Sequence, residues 1–150
     1  MAYKRFAHLD NNNVVVNIIL GSDEGISTEQ KMADHLNINV SLVKEYSLDG
    51  SHLSRTTPAK GGTFESSSGS NGKFKDPQPN PSWTFNNTSW EWEAPVTKPT
   101  DFDETYNYWW NESELRWEGL KVDGAPNYNP TEDPIVHYRY LPDTNSWEAL

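Results

Sequence analysis

The chain has 150 residues, 34% of them apolar, with a mean hydropathy of −0.85 and a formal net charge of −10. That length suits one ordinary domain or two small units in series. The charge sets the surface against phosphate backbones and anionic headgroups, so neither nucleic acid nor a membrane is an expected partner. Cysteine is absent, which removes disulfides, thiolate metal sites and cysteine nucleophiles together.

The aliphatic and aromatic residues occupy different halves. Most Val, Ile and Leu lie before residue 54, all seven Trp lie from Trp83 onward, and residues 81–150 carry 13 acidic and four basic side chains. Large rings partly offset the low apolar content, so a thin aromatic core is expected. The partition predicts an N-terminal unit over 1–53, a Gly/Ser/Pro-rich linker over 54–82, and a second unit over 83–150. The fold class expected is mainly β, in antiparallel hairpins, with one short helix.

Lys4 and Arg5 are followed by no apolar run of signal-peptide length, and "VVVNIIL" is too short to span a bilayer. The chain is therefore expected to be cytosolic where it is made. "YKRFAHL" alternates, "VVVNIIL" is β-branched, and the "DNNN" between them tolerates left-handed turn angles, which together predict a β-hairpin. "STEQKMADHLN" supplies an N-cap in Ser27 or Thr28 and an acidic first turn, predicting a helix near residues 27–37 with Met32, Leu36 and Ile26 toward the core. "NVSLVKEYSLDG" fits a strand or a second short helix. In the linker, "SSSGSNG" reads as mobile chain and "DPQPNP" as extended chain.

Three segments of the second half align with one another: "WTFNNTSWEWEA" from Trp83, "YWWNESELRWEG" from Tyr108 and "YRYLPDTNSWEA" from Tyr138. Each opens on an aromatic residue (Trp83, Tyr108, Tyr138), has another two places on (Phe85, Trp110, Tyr140), and carries a Trp-Glu pair at Trp92, Trp117 and Trp147 before a small residue. Residues two apart in a strand share a face. Three hairpins (83–94, 108–119, 138–149) then follow, with Phe85 opposite Trp92, Trp110 opposite Trp117 and Tyr140 opposite Trp147. "NTSW", "ESEL" and "PDTN" fall at the tips. The small residue leaves room for a ring across it. These nine rings are the candidate interaction face, with self-packing as a mini-core the favoured reading because a lone hairpin is marginal in water. Trp90 and Trp109, on the other side of their hairpins, are the candidates for exposed rings.

"RFAHLDNNNVV" and "PQPNPSWTFNNTSWEWEAPVTKP" resemble a family of small virion structural proteins of marine cyanobacterial phages. Phe6, Ala7, Leu9, Asp10, Asn12, Asn13 and Val15 fit its opening block; Pro77, Gln78, Pro79, Pro81, Ser82, Trp83, Thr84, Trp92, Glu93, Ala94 and Pro95 fit its second. Residues 21–72 depart from the family pattern, and the third hairpin is an addition to it. The resemblance implies a virion component with no enzymatic activity and no cofactor. The expected partners are other phage structural proteins, capsid or tail subunits, with self-association as a further option.

His8, His35, His52 and His137 show no metal-ligand spacing. Asp101, Asp103 and Glu104 alternate in the manner of calcium ligands but lack the glycine and distal Glu of an EF-hand loop, and read as a solvated acidic loop. No catalytic, cofactor or metal site is expected. Two functions remain: an accessory structural protein that decorates a capsid or joins a tail, and a saccharide-binding module that stacks Trp and Tyr rings on sugars for host recognition.

Overall fold

The "DNNN" turn closes as its residue types require. Asp10 Oδ1 accepts the N–H of Asn12 at 2.8 Å and of Val14 at 2.9 Å, and Asn13 takes a left-handed φ of 62°. In the computed structural model, which describes residues 3–22, 24–100, 106–121 and 136–150, this turn joins β1 (Tyr3–Leu9) to β2 (Val15–Ser22). The fold is mainly antiparallel β with one short helix, and it divides into two units, Met1–Gln78 and Pro79–Leu150.

The helix, α1 (Glu29–Leu36), starts at Thr28, whose side chain accepts from Lys31 N–H, and ends at Asn37 with φ 54°. The ambiguous stretch that follows holds both alternatives. Asn39 caps a single 3-10 turn at Val40–Leu42, which runs directly into β3 (Val43–Tyr46). The sheet order is β2-β1-β3, all antiparallel.

β1 is central and buries residues on both of its faces. Phe6 packs with Met32, Ala33 and Val43 under the helix, with Ile26 and Leu36 at the margin as the sequence suggested. On the opposite face Ala7 and Leu9 pack with Val15, Tyr46, Phe64 and Phe74.

Those two phenylalanines correct the linker assigned to residues 54–82. They belong to a hairpin, β4 (Thr63–Glu65) and β5 (Lys73–Lys75), that lies over the second face of the sheet, so the first unit extends to Gln78. "SSSGSNG" supplies the connection between these strands instead of loose chain. Each strand spends one apolar side chain, flanked by polar ones, too little to register as a pattern. Phe64 and Phe74 sit 5.0 Å apart, and Gly72, at φ +75°, leaves space that an added Cβ would share with the Phe64 ring at 2.3 Å.

A buried cation ties the layers together. Arg55 donates to Glu29 Oε1 at 2.6 Å, to the Glu45 carbonyl at 2.7 Å and to the Asn71 carbonyl at 3.0 Å, and its guanidinium lies 5.4 Å from the Phe64 ring. It thereby joins α1, β3 and the β4–β5 connection. Removing one member of a buried pair leaves the other uncompensated. Arg55→Ala is expected to cost the first unit about 3 kcal/mol, the low end of that range because Glu29 keeps some water and the Glu45 N–H. Urea denaturation followed by far-UV circular dichroism measures it.

Candidate functional site

The three aromatic hairpins of the second unit adopt the expected register. β6 (Thr84–Asn86) pairs with β7 (Glu91–Glu93), placing Phe85 opposite Trp92. β8 (Tyr106–Asn111) pairs with β9 (Arg116–Lys121), placing Trp110 opposite Trp117 and Tyr108 opposite Gly119. β10 (His137–Leu141) pairs with β11 (Ser146–Ala149), placing Tyr140 opposite Trp147 and Tyr138 opposite Ala149.

The tips are four-residue loops at 87–90, 112–115 and 142–145, and the last residue of each, Trp90, Leu115 or Asn145, has a positive φ. A left-handed backbone costs a bulky residue roughly 1–2 kcal/mol. It also turns the side chain, which overturns one expectation. Trp90 does not face away from the paired rings; it is half-buried and meets Phe85 edge-on at 5.1 Å. Trp109 is exposed as expected, at 38%, with one edge against His137.

The second and third hairpins join through β9 and β10 into one sheet of order β11-β10-β9-β8. Its ring-bearing face carries a continuous ladder. Trp110 lies 5.3 Å from Trp117, Trp117 lies 5.6 Å from Tyr108, Tyr108 lies 6.1 Å from Trp147, and Trp147 lies 5.4 Å from Tyr140. The ring nearest Gly119 is that of Trp147, from the next hairpin, and an added Cβ would stand 3.0 Å from it. This explains why the middle repeat has glycine where the others have alanine: its strand is interior to the sheet.

The first hairpin forms a separate two-stranded ribbon whose leading residue, Trp83, meets Trp110 at 6.2 Å and Trp117 at 5.9 Å. Its exit strap then crosses the ladder. The Trp117 indole donates to the Val96 carbonyl at 3.1 Å, the Lys98 ammonium stands 6.0 Å from the Tyr108 ring, and the Thr100 hydroxyl reaches Asn145 Oδ1 at 3.1 Å. Trp117 and Tyr140 are buried, and the other seven candidate rings are half-buried. Self-packing therefore accounts for most of the aromatic face. What stays open is a groove of about 370 Å³ walled by Trp83, Trp92 and Trp117, with Glu91, Glu93 and Lys98 at its polar positions.

Glu112 locks the first hairpin to the sheet. It accepts the Trp110 indole N–H at 2.7 Å, the Ser82 hydroxyl at 2.7 Å and the Ser82 N–H at 2.8 Å. Burial pushes its carboxyl up, but these hydrogen bonds outweigh burial and hold it below its ordinary 4.5. A carboxyl so depressed contributes stability above the unfolded value, and that contribution is lost as pH falls through the folded one. Acid titration below pH 4.5, followed by Trp fluorescence, is expected to loosen the second unit, and Glu112→Gln to flatten that part of the profile.

The reverse face of the sheet is polar. Trp109, Glu118, Arg139 and Glu148 stand in one row across its four strands. Glu118 is buried there; burial raises its carboxyl, and the hydrogen bonds from Arg116, at 2.7 and 2.9 Å, with that of Asn111, bring it below the ordinary value. The side-chain arrangement offers donors and acceptors beside one exposed indole.

Among the described residues no group of three or more His, Asp and Glu is placed to hold a metal ion, and no helix is long and apolar enough to cross a membrane. Asp101, Asp103 and Glu104 lie outside the described residues, as do residues 122–135 between the second and third hairpins. No protein-family model, curated protein or solved structure matches this chain.

Proposed function

We propose that this chain is a non-enzymatic accessory structural protein of a tailed-phage particle, decorating the capsid or associated with the tail, and that it binds other particle proteins through its β-rich surfaces. The observation that carries this reading is the position of the residues that resemble the phage virion family. Asp10 and Asn13 build the β1–β2 turn, Leu9 and Val15 fill the core, and Ser82, Trp83 and Trp92 seat and shape the first aromatic hairpin. These are packing and turn roles, the kind an assembly component requires of its recognisable residues. The acidic second unit favours solubility at the high local concentration of an assembling particle. Quantitative mass spectrometry of gradient-purified particles tests the proposal. The chain is expected at a fixed ratio to the major coat subunit across the particle peak; a chain abundant in lysate and missing from that peak ends the reading.

A second reading, saccharide binding, is favoured by one feature, the groove walled by Trp83, Trp92 and Trp117. Concave sites of a few hundred Å³ with aromatic walls and a few polar groups are where small ligands bind. Quenching of Trp fluorescence by a neutral oligosaccharide would support this function, and flat responses across bacterial surface polysaccharides would dismiss it.

A further inference from the structure

Among the described residues, the first unit leaves an edge open. β2 is eight residues long and contains no charged residue and no proline. Its partner edge, β3, is four residues long and carries Lys44 and Glu45. Long uncharged edges present unpaired N–H and C=O groups that template pairing with another strand. On the same strand the side chains of Ile18 and Leu20 are 41% and 58% exposed, beside Ala7 and Arg5 on the face whose Ala7–Leu9 end is covered by the β4–β5 hairpin.

The backbone bounds the open stretch. Val15 turns its N–H and C=O outward, to the Gly62 carbonyl at 2.8 Å and the Gly61 N–H at 2.8 Å, which closes one end. The Ser22 carbonyl accepts from Gly25 N–H at 3.3 Å, which closes the other. Between them the register slips by one residue, since Leu9 pairs with Val15 and His8 with Asn17. That bulge shifts the alternation, so that Ile18 and Leu20 aim their backbone groups away from β1. Ile18 N–H meets the Asn17 side-chain oxygen at 3.0 Å, a contact a small rotation of an exposed amide releases.

We propose that two copies of the chain pair β2 against β2, antiparallel, about a two-fold axis at Ile19, making one six-stranded sheet from two three-stranded ones. In this register Ile18 of each copy stands opposite Leu20 of the other, as a hydrogen-bonded pair, and both outward-facing residues find partners at once. A second copy suits the edge better than a charged strand of another protein. The strand offers no charge to recognise, and its exposed aliphatics match themselves. Charge does not oppose the approach either. Residues 1–78 hold eight basic and nine acidic side chains, whereas the −9 of the chain's remaining residues lies in the second unit. This self-pairing goes beyond the proposed role in a particle and stands or falls independently of it.

The absence of cysteine makes a direct test available. Cα atoms of a hydrogen-bonded antiparallel pair lie about 5.5 Å apart, inside the range of about 4.4–6.8 Å that a disulfide spans. Under mild oxidation of the full chain, an Ile18→Cys and Leu20→Cys mixture is expected to give covalent dimers several-fold faster than either variant alone. In sedimentation equilibrium the unmodified chain is expected to show a concentration-dependent dimer, which Ile18→Lys weakens about tenfold or more while circular dichroism stays unchanged. Equal cross-linking of the mixture and the single variants, no cross-linking in any of them, or a dimer that survives Ile18→Lys overturns the proposal.

Discussion

Phe74→Ala is expected to cost the first unit about 3–5 kcal/mol, the range for emptying a buried aromatic site. Phe74 is 2% exposed and touches two rings, Phe64 at 5.0 Å and Tyr46 at 6.2 Å, so its loss opens a cavity between the β4–β5 hairpin and the central sheet. Backbone hydrogen bonds to Asn13 and Val15 also hold the hairpin, but its three-residue strands bury only one side chain each, so the two phenylalanines carry its apolar packing. Substitutions in a solvated connector change stability by about 0.5 kcal/mol or less. The size of the effect therefore decides whether residues 63–75 belong to the core. Phe74→Leu, which keeps most of the volume, is expected to recover the greater part of the loss. Urea denaturation monitored by far-UV circular dichroism gives both values, and a cost under about 1 kcal/mol for Phe74→Ala would contradict the assigned packing.

Trp117→Ala is expected to be comparably severe in the second unit, again about 3–5 kcal/mol. Trp117 is 6% exposed and stands where the two aromatic assemblies meet. Three rings, Trp83, Trp110 and Tyr108, lie within 6 Å of it, and its indole N–H holds the exit strap at Val96. Truncation removes the seat of the first hairpin as well as a member of the ladder. Trp117→Phe keeps part of the apolar contact and lacks the donor, so it is expected to fall between wild type and Ala. All seven Trp lie from Trp83 onward, so fluorescence isolates this unit. A Trp117→Ala chain with an unshifted fluorescence transition would show that the hairpins do not depend on one another.

The parts of the fold that were legible in the sequence are those where one residue type had one physical use. Asp10 and the asparagines after it announced a tight turn, Thr28 and Glu29 announced a helix start, and five aromatic, acidic and small positions repeated three times gave the pairing register of each hairpin. The β4–β5 hairpin was not legible, because a core contribution of one phenylalanine per strand is hidden among Gly and Ser. The Trp90 side chain was misplaced because alternation stops applying where φ turns positive. The joining of β9 to β10 had no local cue either: nothing in the Tyr138 segment states which neighbour it chooses, and only Gly119, a glycine where the other copies have Ala94 and Ala149, hinted at a ring arriving from outside its own hairpin.

The open groove and the covered ladder divide the second unit's aromatic residues into two roles. Rings of the ladder hold the sheet, the ribbon and the strap together. Trp92 and one side of Trp83 remain available at the groove, and Trp109 on the reverse face. Variants of Trp92 or Trp109 are thus the ones to use in binding experiments, since Trp117 variants confound binding with folding.

The central claim, that the chain is a built-in part of a phage particle, is tested most directly by a reconstruction of the purified particle at a resolution that separates strands. The account predicts density on the capsid or tail for a four-stranded sheet beside a two-stranded ribbon whose exit strap crosses the sheet's aromatic face, in repeated copies at symmetry-related positions. A particle whose density is fully explained by other chains, with no such sheet anywhere on its surface, would contradict it.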